Sequence, residues 1–168
     1  VDSTQEYGAK TIYSLFGELK TEKLDQLESL ILSTENGGYD DIILSAHHPL
    51  SHIWSETSTE GRNYKKIIEW SNTSTHLVGH LHFEELYQNH GSFSEYCAPS
   101  FKNIFKYRIC VLDKGRFSFS EENLNSFPKV IITNPIDGRF ITDPISLENS
   151  LKDSQIRTLI FNRSKILS

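Results

Sequence analysis

The residues best suited to chemistry in this chain are its histidines. His47, His48, His52, His76, His80 and His82 crowd into one stretch, with His90 just beyond. Imidazole is a ligand for zinc, iron, manganese, cobalt or nickel, and a neutral ring brings no charge of its own to the ion. Two groups are tightest: Ala46-His47-His48-Pro49 and Gly79-His80-Leu81-His82. Residues two apart on extended backbone project to the same side, so His80 and His82 are expected to share a face and could serve adjacent metals. Gly79 leaves room for a close backbone approach, and Pro49 stiffens the chain after the first pair. A single histidine near a strand end is more often a hydrogen-bonded structural residue, and His52, His76 and His90 are read that way. For His47, His80 and His82 the weighing reverses, because buried imidazoles without a metal or carboxylate partner are costly. One ion on three histidines and a pair of adjacent ions both fit this spacing.

These side chains need elements to deliver them. A helix is expected over residues 21–34, with Thr21 as N-cap and Leu24, Leu27, Leu30 and Ile31 on one face, stopped by Asn36-Gly37-Gly38. Ile42-Ile43-Leu44 then reads as a strand buried on both faces that delivers His47 and His48. Residues 51–63 are polar loop, and a short helix over 64–70 is anchored by Ile67, Ile68 and Trp70. A second buried strand over 75–78 delivers Gly79 to His82. Strand ends are where open α/β sheets place their sites. From Phe93 onward the texture changes to extended segments over 93–98, 105–112 and 116–120. The last two flank Asp113-Lys114-Gly115, a hairpin turn in which Gly115 would supply the positive φ. The polar, Asn-rich stretch 121–127 marks a boundary. Strands over 129–133 and 156–161 follow it, with turn signals at Asn134-Pro135 and Asp137-Gly138. Trp54 and Trp70 are read as core. The charged segment 56–66 reads as a solvated loop, with Arg62 the candidate for the rim of a site.

Composition bounds the function. The 168 residues are 37% hydrophobic and 23% charged, which excludes the disordered class. The net charge of -5, with no cluster among the 17 basic residues, argues against a nucleic-acid partner. No Met is present, so Val1 is expected not to be a translational start and the chain is read as a fragment. No apolar run of about 18 residues and no signal segment occur in it. Cys97 and Cys110 allow one disulfide or none.

The pairing of His47-His48-Pro49 with Gly79-His80-Leu81-His82 resembles the last two signature motifs of the calcineurin-like metallophosphoesterases, an H-x-P-type element and a G-H-x-H element. The resemblance implies an α/β (α+β) fold, the C-terminal part of a four-layer α/β/β/α sandwich holding two metals. It implies that His47 and His80 share one ion and that His82 binds the other. His48 falls on no ligand position and is left to support a ligand from behind or to face substrate. Val1-Asp2-Ser3, Phe16-Gly17-Glu18-Leu19, the segment from His47 to His52, that from Phe127 to Pro135, and Gln155-Ile156-Arg157 are similar to the transmembrane protein 62 family. That likeness implies that residues 1–126 are the C-terminal half of a phosphoesterase domain and that 127–168 begin an immunoglobulin-like β domain, followed in the family by membrane-spanning helices.

The metallophosphoesterases' D-x-H, G-D-x-x-D and G-N-H-D motifs do not occur between Val1 and His47 and are expected upstream. The fragment alone is then expected to hold an incomplete site and to be inactive. The longer protein would be a membrane-anchored hydrolase of phosphate esters using two manganese, iron or zinc ions. The rival expectation is a non-catalytic phosphoesterase-fold module that serves a membrane protein as a binding or structural domain.

Overall fold

Leu24, Leu27 and Ile31 recur at helical spacing, and they form the buried face of helix α1 (Thr21–Asn36). Leu30, expected on that face, is 63% exposed. Glu28 takes a place there instead, because the Arg62 guanidinium bonds its Oε1 at 2.6 Å and the Ser58 hydroxyl donates to the same oxygen. Thr21 is the first helical residue rather than the cap, which is Lys20. The Thr21 hydroxyl reaches Glu56 Oε2 and the Thr57 carbonyl, tying the helix start to the segment beyond strand β3 (Ile53–Ser55). That strand, in a stretch expected to be loop, pairs in parallel with β1 (Gly17–Leu19).

A four-stranded sheet carries the histidines. Its order is β2 (Ile42–Ser45), β4 (Thr73–Val78), β6 (Ser94–Cys97), β5 (Leu86–Asn89), with β2, β4 and β6 parallel and β5 antiparallel to β6. The crossover from β2 to β4 runs through a 3-10 turn at Leu50–His52, then β3 and helix α2 (Tyr64–Trp70), whose N-cap Asn63 accepts from Lys66 N–H. Because β2 and β4 are parallel neighbours, their C-terminal ends lie side by side. Every residue of β6 is buried. Strand β2 is expected to be covered on both faces, yet Ile43 is 40% exposed, because only the face carrying Ile42 and Leu44 packs on the core.

Leu19, Leu24, Leu27, Ile31, Tyr64, Ile67, Ile68 and Phe93 form the main core cluster, where β1, α1, α2 and the residue preceding β6 meet. The tryptophans are not part of it. Trp54 is 77% and Trp70 41% exposed, and the Arg62 guanidinium stands 4.5 Å from the Trp70 ring centre, so the tryptophan covers a cation rather than filling the core.

The structure, a computed structural model, describes residues 16–39, 41–82, 86–114, 116–137 and 155–162. The chain forms two units, Val1–Ala98 and Pro99–Ser168, an α/β part followed by a β-rich part. The division lies ahead of the composition change at 126/127, so the hairpin of β7 (Lys106–Asp113) and β8 (Arg116–Asn123) stands in the second unit. With it are the short helix α3 (Phe101–Ile104) and the antiparallel pair β9 (Lys129–Asn134) and β10 (Arg157–Phe161). In the hairpin turn Lys114 takes the positive φ of 51°, and Gly115 and Gly138 lie outside the described residues. Cys97 and Cys110 are not joined by a disulfide. No helix among the described residues is long and apolar enough to cross a membrane.

Asp113 ties the hairpin to the other pair by accepting from Arg157 Nε at 2.8 Å and from Thr133 Oγ1 at 2.7 Å. Arg157 first, and Thr133 second, hold its carboxyl below the usual carboxylate range. The stability this supplies is present above the ordinary aspartate value near 4 and is lost as pH falls through the lower value of the folded state. Urea midpoints measured from pH 7 down to pH 2 are expected to fall less steeply in Asp113→Asn than in the wild type.

Candidate metal centre

The hydrogen-bond ladder between β2 and β4 continues past both strand ends: Ala46 N–H donates to the Leu77 carbonyl at 2.9 Å, and Gly79 N–H to the His47 carbonyl at 3.0 Å. These bonds hold the two histidine-bearing segments together. A Cβ at Gly79 would meet the His47 carbonyl at 3.7 Å, an ordinary contact, so pairing rather than lack of space brings the backbones close.

His47, His48 and His80 converge at this point, each offering one ring nitrogen, all within 4.8 Å of one another. His80 Nδ1 and His47 Nε2 are 3.2 Å apart. Two nitrogens at ~2.0–2.1 Å from one tetrahedral ion stand about 3.3 Å apart, so this pair already has the bite of a bidentate site. The His48 ring lies 4.3 Å from that of His80, centre to centre, and 4.7 Å from that of His47. The three rings could therefore hold a metal ion.

At His48 burial favours the lone pair over a proton. His48 is buried, and burial first, then the neighbouring His80, His47 and His52, pull its pKa from about 6.5 down to about 4. At neutral pH its ring is uncharged, as ligation requires. The backbone here is also strained: His80 has φ 68° and His82 φ 56°, left-handed conformations that cost L-residues of order 1–3 kcal/mol each. Such strain concentrates at functional sites.

That backbone changes the expected geometry. Strand β4 ends at Val78, and His80 and His82 are not on extended backbone, so the two-residue spacing does not put them on a common face. His82 is exposed and stands outside the three-histidine group. His48, expected only to support or face substrate, is inside it. The alternation rule sends neighbours to opposite faces and so gives no signal for this, yet after β2 the two rings pack edge to face.

His52 lies at the rim, 5.9 Å from the His80 ring and stacked on Phe16, with Nδ1 bonded to Ser51 Oγ. His76 and His90 lie away from the group: His76 bonds Tyr64 and Glu95, and His90 stacks on Phe93. Arg62, expected at a rim, is engaged with Glu28 and Trp70.

The chain is 27% identical to transmembrane protein 62 of Mus musculus over 175 residues, covering all of this chain and 26% of that protein. It thus spans about a quarter of the length of the curated relative it matches. No family model matches the chain, and no solved structure matches it significantly. The similarity to a transmembrane protein agrees with the motif likeness, while the phosphoesterase resemblance rests on the histidine motifs themselves.

Proposed function

We propose that this chain is part of a membrane-anchored, metal-dependent phosphoesterase, residues 1–126 belonging to its catalytic domain and 127–168 opening an immunoglobulin-like domain. The observation that carries the reading is the convergence of His47, His48 and His80 at the adjoining ends of two parallel strands. His47 and His80 hold one ion through the nitrogens that face each other, and His48 offers a third neutral nitrogen to the same space. His82, exposed beyond the turn, is free to reach a second ion whose other ligands come from acidic motifs elsewhere in the longer polypeptide. Neutral imidazoles bring no negative charge, so those acids are needed to keep two dications close together. When bound, manganese, iron or zinc supplies the Lewis acidity that activates water and neutralises charge on phosphoryl oxygens. The chain's residues position the ions, and burial keeps the His48 lone pair unprotonated.

The test is metal-dependent hydrolysis of p-nitrophenyl phosphate and bis-p-nitrophenyl phosphate by the longer polypeptide with manganese, zinc or iron added. Beside it stands a variant carrying both His80→Ala and His82→Ala. Turnover is expected to fall at least ~100-fold in the variant, about 2.7 kcal/mol of transition-state stabilisation. No turnover by a folded, metal-loaded wild type would replace this reading with a non-catalytic phosphoesterase-fold module.

A further inference from the structure

Strand β6 carries no histidine, yet it reaches both segments that do. Glu95 and Cys97 stand two apart on it and so share a face. Glu95 Oε2 accepts the Leu50 N–H at 2.9 Å, two residues past His48. Cys97 Sγ donates to the Gly79 carbonyl at 3.0 Å, one residue before His80. The Glu95 side chain is wholly buried, as is His76, whose Nδ1 lies 2.8 Å from the same Oε2. Tyr64 completes the chain with its hydroxyl 3.0 Å from His76 Nε2, and burial raises its pKa, so it keeps its proton. The two ring nitrogens of His76 are thus bonded to Tyr64 on one side and to Glu95 on the other, and Glu95 accepts the Leu50 amide.

A buried carboxylate is costly unless its partners repay it. The buried carboxylate is explained by what it fixes: the turn that aims His47 and His48. We propose that Glu95, oriented by His76 and Tyr64, is a positioning residue for the metal-binding histidines, assisted by Cys97 on the His80 side. This rests on the metal reading above. Glu95 touches neither ion nor substrate in this scheme and acts only through the Leu50 amide.

The test is a titration of the chain with cobalt(II) alone, followed by visible absorption, with circular dichroism recording the fold, on wild type, Glu95→Gln and Glu95→Ala. Glu95→Gln keeps an oxygen for the Leu50 amide, and its cobalt affinity is expected to stay within about threefold of wild type. Glu95→Ala loses the acceptor and is expected to bind cobalt about 10–100-fold more weakly while folded, the range for partners that orient a ligand. A merely structural role would lower the unfolding midpoint and leave the affinity of the folded protein unchanged. Equal affinity in folded Glu95→Ala overturns the inference and leaves the metal reading standing.

Should Glu95→Ala not fold, Leu50→Pro is compared with Leu50→Ala. Both lose the leucine side chain but only proline deletes the N–H, and Pro49 at ψ 161° already has the extended backbone that a following proline needs. Weaker cobalt binding by Leu50→Pro than by Leu50→Ala supports the inference, and equal binding overturns it. If wild type binds no cobalt, the metal reading fails and hydrogen exchange at the Leu50 amide decides the positioning role. Protection in wild type and Glu95→Gln, lost in Glu95→Ala, supports it; uniform exchange overturns it.

Discussion

Replacing His80 with alanine is expected to weaken cobalt(II) binding by the chain at least ~100-fold, about 2.7 kcal/mol, with loss of the visible bands of nitrogen-ligated cobalt. The expectation follows from geometry. His80 Nδ1 and His47 Nε2 form the pair with a ready-made bite, 3.2 Å apart, and removing either destroys that pair and leaves His48 with a single partner ring. Outer partners that only orient a ligand cost about 10–100-fold, so deleting a ligand sits at or beyond the top of that range. His47→Ala should match His80→Ala. His82→Ala should leave cobalt binding by this chain unchanged, because that ring is exposed and outside the cluster. A variant series in which His82 mattered as much as His80 would contradict the placement of the first ion.

The second large effect is on stability. Phe93→Ala is expected to destabilise the α/β unit by about 3–5 kcal/mol, read as a lowered urea midpoint with an unchanged slope. Phe93 is fully buried among Leu19, Leu24, Tyr64 and Ile67, and its ring also meets His76 edge-on at 6.5 Å and His90 face-on at 4.7 Å. Truncation would leave a cavity beside the Tyr64, His76 and Glu95 chain as well as removing apolar burial. A domain's total stability is only about 5–15 kcal/mol, so this variant should be marginal at room temperature. A loss below about 1 kcal/mol would mean that the core is not organised around this ring.

Much of the site was legible because periodicity and strand ends are local properties. Leu24, Leu27 and Ile31 announced α1; the apolar runs before His47 and Gly79 announced β2 and β4, and parallel neighbours must bring their ends together. What was not legible depends on contacts distant in sequence. Glu28 occupies a buried position that a leucine-counting pattern gives to Leu30, because its partner Arg62 arrives from a loop far along the chain. Strand β3 is three residues long and exists by pairing with β1, which no window around Ile53–Ser55 can register. The left-handed turn at His80 and His82 is likewise invisible to a two-residue alternation rule, which presumes that the strand continues. The structural role that its lone position suggests for His76 agrees with its bonds to Tyr64 and Glu95. Its consequence for the Leu50 turn required the fold.

The most direct measurement is X-ray absorption at the zinc edge on the chain loaded with one equivalent of zinc, beside His47→Ala and His80→Ala. The expected result is a first shell containing three imidazole nitrogens at ~2.0–2.1 Å, with outer-shell scattering from imidazole rings that diminishes in each variant. A first shell of oxygens alone, or imidazole scattering that persists undiminished in both variants, would contradict the claim that His47, His48 and His80 form the metal centre.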